Sequence, residues 1–295
     1  MIRIRHNVLI LFSILLFAGC KKERSAASLS PQEELQIALA AVRGEAQTSF
    51  HLDDAFDNAM GVSTEVGLGG TGLFGRFNQG DTVPPCLQVR VDRLVPNQQF
   101  PVRVTLDFGN ACAGRDGRTR SGKVVFEYSA RLTDSTAHTL ITFDNYKVDS
   151  FSISGRHEIR NVSVNSAQRA WTITATDARI ERPNGNYISW NGARTLTQVE
   201  GRFTQPVIDD VFEVTGGARG TVRTGNLVST WSSEIELPLR KRFICPWFGQ
   251  GTIRTMRGTL TANSAYAGLL DYGQGNCDRL ASLTLNGSTY QISLP

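Results

Sequence analysis

His51, Asp53, Asp54 and Asp57 form the densest group of titratable side chains in the sequence. On a helix, His51 and Asp54 would share a face, because residues three apart are neighbours there. Such a group can hold a metal ion or relay a proton. A solvated helix face uses the same residue types, and that is the reading adopted. Asp107 and Asp271 invite comparison with paired catalytic carboxylates. Each occupies the same position of a recurring Asp-aromatic-Gly segment, where an Asp side chain can satisfy backbone donors, so a turn role is expected. Gly67-Leu68-Gly69-Gly70-Thr71-Gly72 matches G-x-G-x-x-G literally. A dinucleotide site needs a strand before that motif and a helix after it. Here Asn78, Gly80 and Pro84-Pro85 follow, as in a loop. His51, His138 and His157 lie far apart in sequence, and there is no G-x-S-x-G, H-E-x-x-H or P-loop pattern. The expected catalytic set, metal site and cofactor are therefore none.

The aromatic residues divide by their neighbours. Trp171 alternates with Ile173 and Ala175, Trp190 with Ile188, and Trp231 with Ile235 and Leu237. Those faces read as core. Trp247 and Phe248 follow Cys245-Pro246 and are the aromatic candidates for an exposed binding contact.

The N-terminus carries chemistry of another kind. Arg3 and Arg5 precede an apolar run of ten residues, Val8 to Phe17, and Ala18-Gly19 stand before Cys20. A run that short does not span ~30 Å of hydrocarbon, so it reads as a signal h-region. Small residues before a cysteine resemble the lipobox of bacterial lipoproteins, with Phe17 where Leu is commoner. Cys20 is thus expected to become the lipid-bearing N-terminus. Acyl chains contribute roughly 0.8 kcal/mol per buried CH₂ and anchor a protein without a spanning helix. Lys21 does not fit the Asp signal for inner-membrane retention, which favours the outer membrane.

Four cysteines remain: Cys86, Cys112, Cys245 and Cys277. An even number in an exported chain reads as disulfides. An internal repeat selects the pairing. Thr105 to Cys112 and Leu269 to Cys277 both run apolar, Asp, aromatic, Gly, then Cys. Beyond each lie Ser121-Gly122 or Asn286-Gly287, read as turns, and then an alternating stretch. Upstream, Cys86 or Cys245 opens each unit. Matching features at matching offsets imply a duplicated β unit. The expected bonds are Cys86–Cys112 and Cys245–Cys277, each contributing roughly 3–4 kcal/mol. Metal binding by these thiols is disfavoured, with no C-x-x-C and no nearby histidine.

The elements that must position these residues follow from periodicity. Ser30-Pro31 with Glu33 starts a helix, and Leu35, Leu39 and Val42 keep helical spacing. A second helical stretch is expected over Phe50 to Met60, then a glycine-rich loop to Pro85. From Leu87 onward the period becomes two, punctuated by Gly, Asn and Asp. The fold class is all-β: an antiparallel meander, either a sandwich or a partly open barrel-like sheet, with a short N-terminal helical segment. The expected organisation is a signal peptide over 1–19, a tether over 20–30, a helical segment and loop over 31–85, and a β domain of two related units over 86–295. Arg- and Thr-rich strands, the disulfides and a C-terminus without an aromatic oppose an outer-membrane barrel. The formal charge is +4, falling closer to neutral when Arg3 and Arg5 leave with the signal. The arginines are scattered, which reads as solvated strand faces and excludes a nucleic-acid footprint.

Five segments, Thr105 to Cys112, Gly117 to Lys123, Thr142 to Tyr146, Asp209 to Val211 and Leu270 to Cys277, together resemble a family of uncharacterised Bacteroidetes lipoproteins. The resemblance runs from Cys86 to near the C-terminus. It implies an exported β-rich lipoprotein and brings no activity or catalytic residue. Surface-exported members carry an acidic stretch after the cysteine; Lys21 and Lys22 stand there instead, favouring the periplasmic side. The expected function is a non-catalytic cell-envelope module with a binding or structural role. Its partners would be the membrane through the lipid and a glycan or envelope protein. The alternative is an enzyme acting on envelope glycans.

Overall fold

Apolar residues at every second position need a surface to bury them, and one long helix provides it. The structure is a computed structural model that describes residues 24–25, 29–65, 85–114, 117–204, 209–261 and 263–294. The signal peptide, Cys20, most of the tether and Gly67 to Gly72 lie outside the described residues.

The chain opens with a short strand β1 (Arg24–Ser25) and the helix α1 (Pro31–Glu65). Strands β2 (Gln88–Arg93), β3 (Val102–Asp107), β4 (Cys112–Ala113), β5 (Thr119–Tyr128), β6 (His138–Val148) and β7 (Phe151–Asn161) follow. The longest strands come next: β8 (Ala170–Glu181), β9 (Tyr187–Glu200), β10 (Val211–Thr224) and β11 (Leu227–Arg242). The chain closes with β12 (Gln250–Arg257), β13 (Gly268–Gln274), β14 (Leu280–Leu285) and β15 (Ser288–Ser293). All belong to one sheet, an antiparallel meander from β2 at one edge to β15 at the other. β4 extends beside β5, and β1 pairs in parallel with the start of β11. Among the described residues, the edges do not pair with each other and no second sheet makes a sandwich, so the partly open arrangement is the one adopted.

The two expected helical stretches are one continuous helix. Ser30 caps it: its hydroxyl accepts from the Glu33 amide at 3.3 Å, and the Glu33 carboxylate accepts from the Ser30 amide at 3.0 Å. At ~1.5 Å per residue the helix is about 50 Å long, enough to run beside the whole of β11. It lies in the concavity of the sheet. Ile37, Ala41, Val42, Leu52, Phe56 and Ala59 are buried there. Phe56 meets Trp171 and Phe212 edge-on, each with ring centroids 5.7 Å apart. The Tyr128 hydroxyl donates to the Ala59 carbonyl at 2.8 Å.

Charged pairs connect the helix to the sheet along its length. Arg257 holds Glu34 with two bonds of 2.8 and 2.9 Å. Arg194 pairs with Glu45, whose other oxygen accepts from Ser233 at 2.7 Å. Lys241 pairs with Asp53, and Arg120 reaches Asp54 at 3.8 Å. Arg120, Arg194 and Lys241 are at most 3% exposed. This corrects two expectations: Asp53 and Asp54 do not lie on a solvated helix face, and these basic residues are not on solvated strand faces. The physical reason is that the sheet wraps the helix, so each buried carboxylate needs a cation from across the interior.

A row of irregularities bends the sheet around the helix. Register shifts fall at Ser121/Lys123, Thr142/Lys147, Ser154/Arg156, Ala175/Ala178, Val214/Gly217 and Gln250/Thr252. They follow one another laterally from β5 to β12, and bulges of this kind sharpen local twist and bending. Ser121-Gly122 is one of them, so the expected turn there is instead a bend within β5, whereas Asn286-Gly287 does join β14 to β15. A shift between Ile235 and Leu237 turns Leu237 outward, 60% exposed, away from the core face expected for it.

Gly155 shows what the bend requires. Its φ is +108°, and a Cβ there would lie 2.5 Å from the Ala178 Cα. Gly155→Ala is expected to lower unfolding free energy by about 2–4 kcal/mol, from backbone strain and crowding together. Gly185→Ala, also at positive φ but with open space around it, should cost about 1 kcal/mol. Urea unfolding of the two variants checks this, and equal losses would show that the row of bends is not constrained.

Candidate functional site

Alternate connections of a meander lie at alternate ends of the strands. The β9–β10, β11–β12 and β13–β14 connections come together at the end remote from β1. Between them is a cleft of about 510 Å³. The end of β9 supplies Glu200, the approach to β10 supplies Asp209 and Asp210, and the end of β11 supplies Arg240 and Arg242. Cys245 and Cys277, Trp247, Gln250, Gln274 and Asn276 complete the walls.

The second disulfide holds this wall. Cys245 and Cys277 are bonded with Cα atoms 5.7 Å apart; the first pair, Cys86 and Cys112, is bonded at 5.4 Å. Both bonds are within-unit pairs. The backbone around them is stitched further by Gly249 N donating to Arg240 O at 3.0 Å and Gly275 N to Gly249 O at 2.6 Å. Arg242 donates to Gly275 O at 3.3 Å, and Arg240 pairs with Glu200.

Asp210 is the electrostatically unusual residue. It is 6% exposed. Burial lifts its carboxyl to about 7; the nearby Gln198 amide opposes the rise and the Asp209 carboxylate adds to it. Gly201 makes room: its φ is +79°, and a Cβ there would lie 2.2 Å from the Asp210 Oδ1. Near neutral pH this side chain can donate a hydrogen bond that an ordinary Asp cannot. With the Arg240–Glu200 pair, three amide side chains and an indole, the cleft suits a ligand rich in hydroxyl groups. Among the described residues, no group of three His, Cys, Asp or Glu is placed to hold a metal ion.

The residues singled out from sequence are placed as follows. Trp247 is partly buried at the cleft, with Arg279 over its ring at 5.9 Å. Phe248 is 8% exposed and packs edge-on against Tyr272, centroids 5.4 Å apart, so it supports the cleft from inside the core. Trp171, Trp190 and Trp231 are buried. Asp107 and Asp271 each accept from the amide two residues on, Gly109 at 2.9 Å and Gly273 at 2.8 Å. That backbone bond, with Lys123 alongside, holds the Asp107 carboxyl below its usual range. His157 is enclosed between Phe143 and Trp190, and burial pulls its pKa down to about 4. His51 falls to about 3, through burial first and the Arg118 guanidinium next. Both imidazoles are thus neutral at physiological pH. The side chain of Asp57 lies outside the described residues.

Sequence reasoning did not single out Asp210 or Glu200 as site residues. The available signal was an acidic pair, Asp209-Asp210, directly before the apolar strand start Val211-Phe212. No family model, curated protein or solved structure matches this chain. Among the described residues, no helix is long and apolar enough to cross a membrane.

The raised Asp210 pKa has a signed consequence for stability. Folding lifts it from 3.8 to about 7, so between those values the folded state binds more protons than the unfolded chain. Its contribution is complete below about pH 4 and is lost as pH rises through about 7. Asp210→Asn should therefore gain in urea midpoint relative to wild type at pH 8 compared with pH 5. Parallel pH dependence of the two proteins would contradict the buried, raised carboxyl.

Proposed function

We propose that this chain is a lipid-anchored cell-envelope protein, held in the outer membrane by acylated Cys20 on the periplasmic side. It acts as a binding or structural module, and its cleft takes a glycan or a glycan-bearing envelope partner. The observation carrying this reading is the cleft itself: an open, rigid recess with Trp247 beside hydrogen-bonding groups of both signs. Aromatic rings offer apolar faces to sugar C–H groups, and fixed donors and acceptors orient the hydroxyls. The interior of the sheet is filled by α1, so the strand ends are left for recognition. The within-unit disulfides and β-rich fold accord with an exported chain. The resemblance to Bacteroidetes lipoproteins points the same way.

One observation favours the alternative, an enzyme acting on envelope glycans. Asp210, protonated near neutrality, lines the same cleft as the Glu200 carboxylate, and such a pairing can divide acid and base roles. Binding of the mature protein to isolated envelope glycans separates the readings. Retention of intact glycan, weakened about tenfold or more by Trp247→Ala, is the expected result. Release of shortened sugars, abolished by Asp210→Asn, would establish the enzyme. Unchanged retention with Trp247→Ala would remove the cleft from the account.

A further inference from the structure

At the opposite end of the strands lies a second recess, of about 400 Å³, between α1 and the β8–β9 and β10–β11 hairpins. Arg43 of the helix, Arg182 of one hairpin and Arg223 of the other line it, with Gln47, Asn186 and Asn226. Among the described residues, no carboxylate lines it. Arg43 and Arg182 are exposed at its rim. Arg182 is steadied by Gln47 at 3.4 Å and by the Phe151 ring at 5.3 Å.

The chain that leads to Cys20 arrives at this groove. Arg24 and Ser25 pair with Leu227 and Val228 at the start of β11, and Leu227 is itself part of the groove wall. Three residues, Lys21, Lys22 and Glu23, separate Cys20 from Arg24. Fully extended, this link spans roughly 14 Å from Cys20 to Arg24. Two of the three, Lys21 and Lys22, are basic. A lipid on Cys20 therefore brings this end of the sheet, and no other, to the bilayer surface.

We propose that the groove around Arg43, Arg182 and Arg223 is a membrane-docking site that binds the phosphate groups of anionic phospholipids beside the anchor. This rests on the reading that Cys20 carries the lipid. Arginine suits the role because its planar fork binds phosphate oxygens in pairs. The anchor supplies attachment and the groove supplies orientation. The glycan cleft lies at the far end of β11, roughly 40 Å of strand away, and is thereby turned from the bilayer into the aqueous compartment.

The test uses the full mature chain with Cys20→Ser, which removes the acyl anchor while the groove variants and their parent keep the same Lys21 and Lys22. It should sediment with vesicles of phosphatidylglycerol and phosphatidylcholine, but not with phosphatidylcholine alone. Arg43→Gln with Arg182→Gln should weaken that binding about 25-fold, at roughly fivefold per arginine. Raised salt should weaken it too. Both side chains are exposed, and an unchanged urea midpoint confirms the variant is folded. Equal binding by the variant, or equal binding to both vesicles, would overturn the site. Saturation of the groove by micromolar inorganic phosphate in the absence of vesicles would assign it to free phosphate and overturn membrane docking. Acyl labelling of the unaltered chain, compared with Cys20→Ser, is scored separately. A labelled chain with an inert groove leaves the anchor standing and refutes the docking site. An unlabelled chain removes the anchor and, with it, the groove's proposed occupant.

Discussion

The constraint on which everything else depends is the fit of one helix into one curled sheet. A single sheet with an apolar concave face must cover that face. In a sandwich a second sheet does so; here α1 does. The interior nevertheless contains Glu45, Asp53 and the cations that face them. Removing one partner of such a pair is costly, about 3–5 kcal/mol, because the other charge stays buried. Their larger effect is on register. Sliding the helix by one turn, about 5.4 Å, would leave Glu34, Glu45, Asp53 and Asp54 away from their partners. Apolar packing alone would tolerate that slip far better.

The sheet must bend to enclose the helix, and the repeated Asp-aromatic-Gly segments belong to that bend. Gly122 ties the first segment to its bend: Phe108 N donates to Gly122 O and Gly122 N donates to Gly109 O, both at 2.9 Å. At the other flank the shift at Gln250/Thr252 sits beside Asp271 to Gly273. The two Asp-aromatic-Gly segments thus stand at the two flanks of one row of bulges. Each places an aromatic ring, Phe108 or Tyr272, into the core beside its bend. The long middle strands between them create the two ends that carry the cleft and the arginine groove.

Much of this was legible in the sequence, and the parts that were not share a cause. Period-two spacing identified the strands from residue 87 onward, and the Asp turns followed from residue type. The enclosure of the helix did not. His51, Asp53 and Asp54 carry no mark distinguishing a wet face from one that meets Arg120 and Lys241, which are remote in sequence. Leu237 was assigned to the wrong face because register shifts on both sides of it turn it outward, while Leu239 and Lys241 beyond it are buried again. Ser121-Gly122 has turn composition, yet the residues on both sides pair through to β6, making it a bend. Asp210 carries no local mark of burial; the close approach of Gly201, remote from it by nine positions, is visible only in the fold. Local chemistry reads well from sequence; burial decided by distant strands does not.

The claim that the helix is the core of this sheet is tested most directly by native-state hydrogen exchange. Amides of residues 41–59 in α1 and of β8 to β11 would be followed at increasing urea below the unfolding transition. If the helix is the surface on which the sheet is folded, both sets exchange only through global unfolding, with the same free energy and the same urea dependence. Helix amides that exchange through a smaller, urea-insensitive opening while β8 to β11 stay protected would show that the sheet stands without its helix, and would contradict the account.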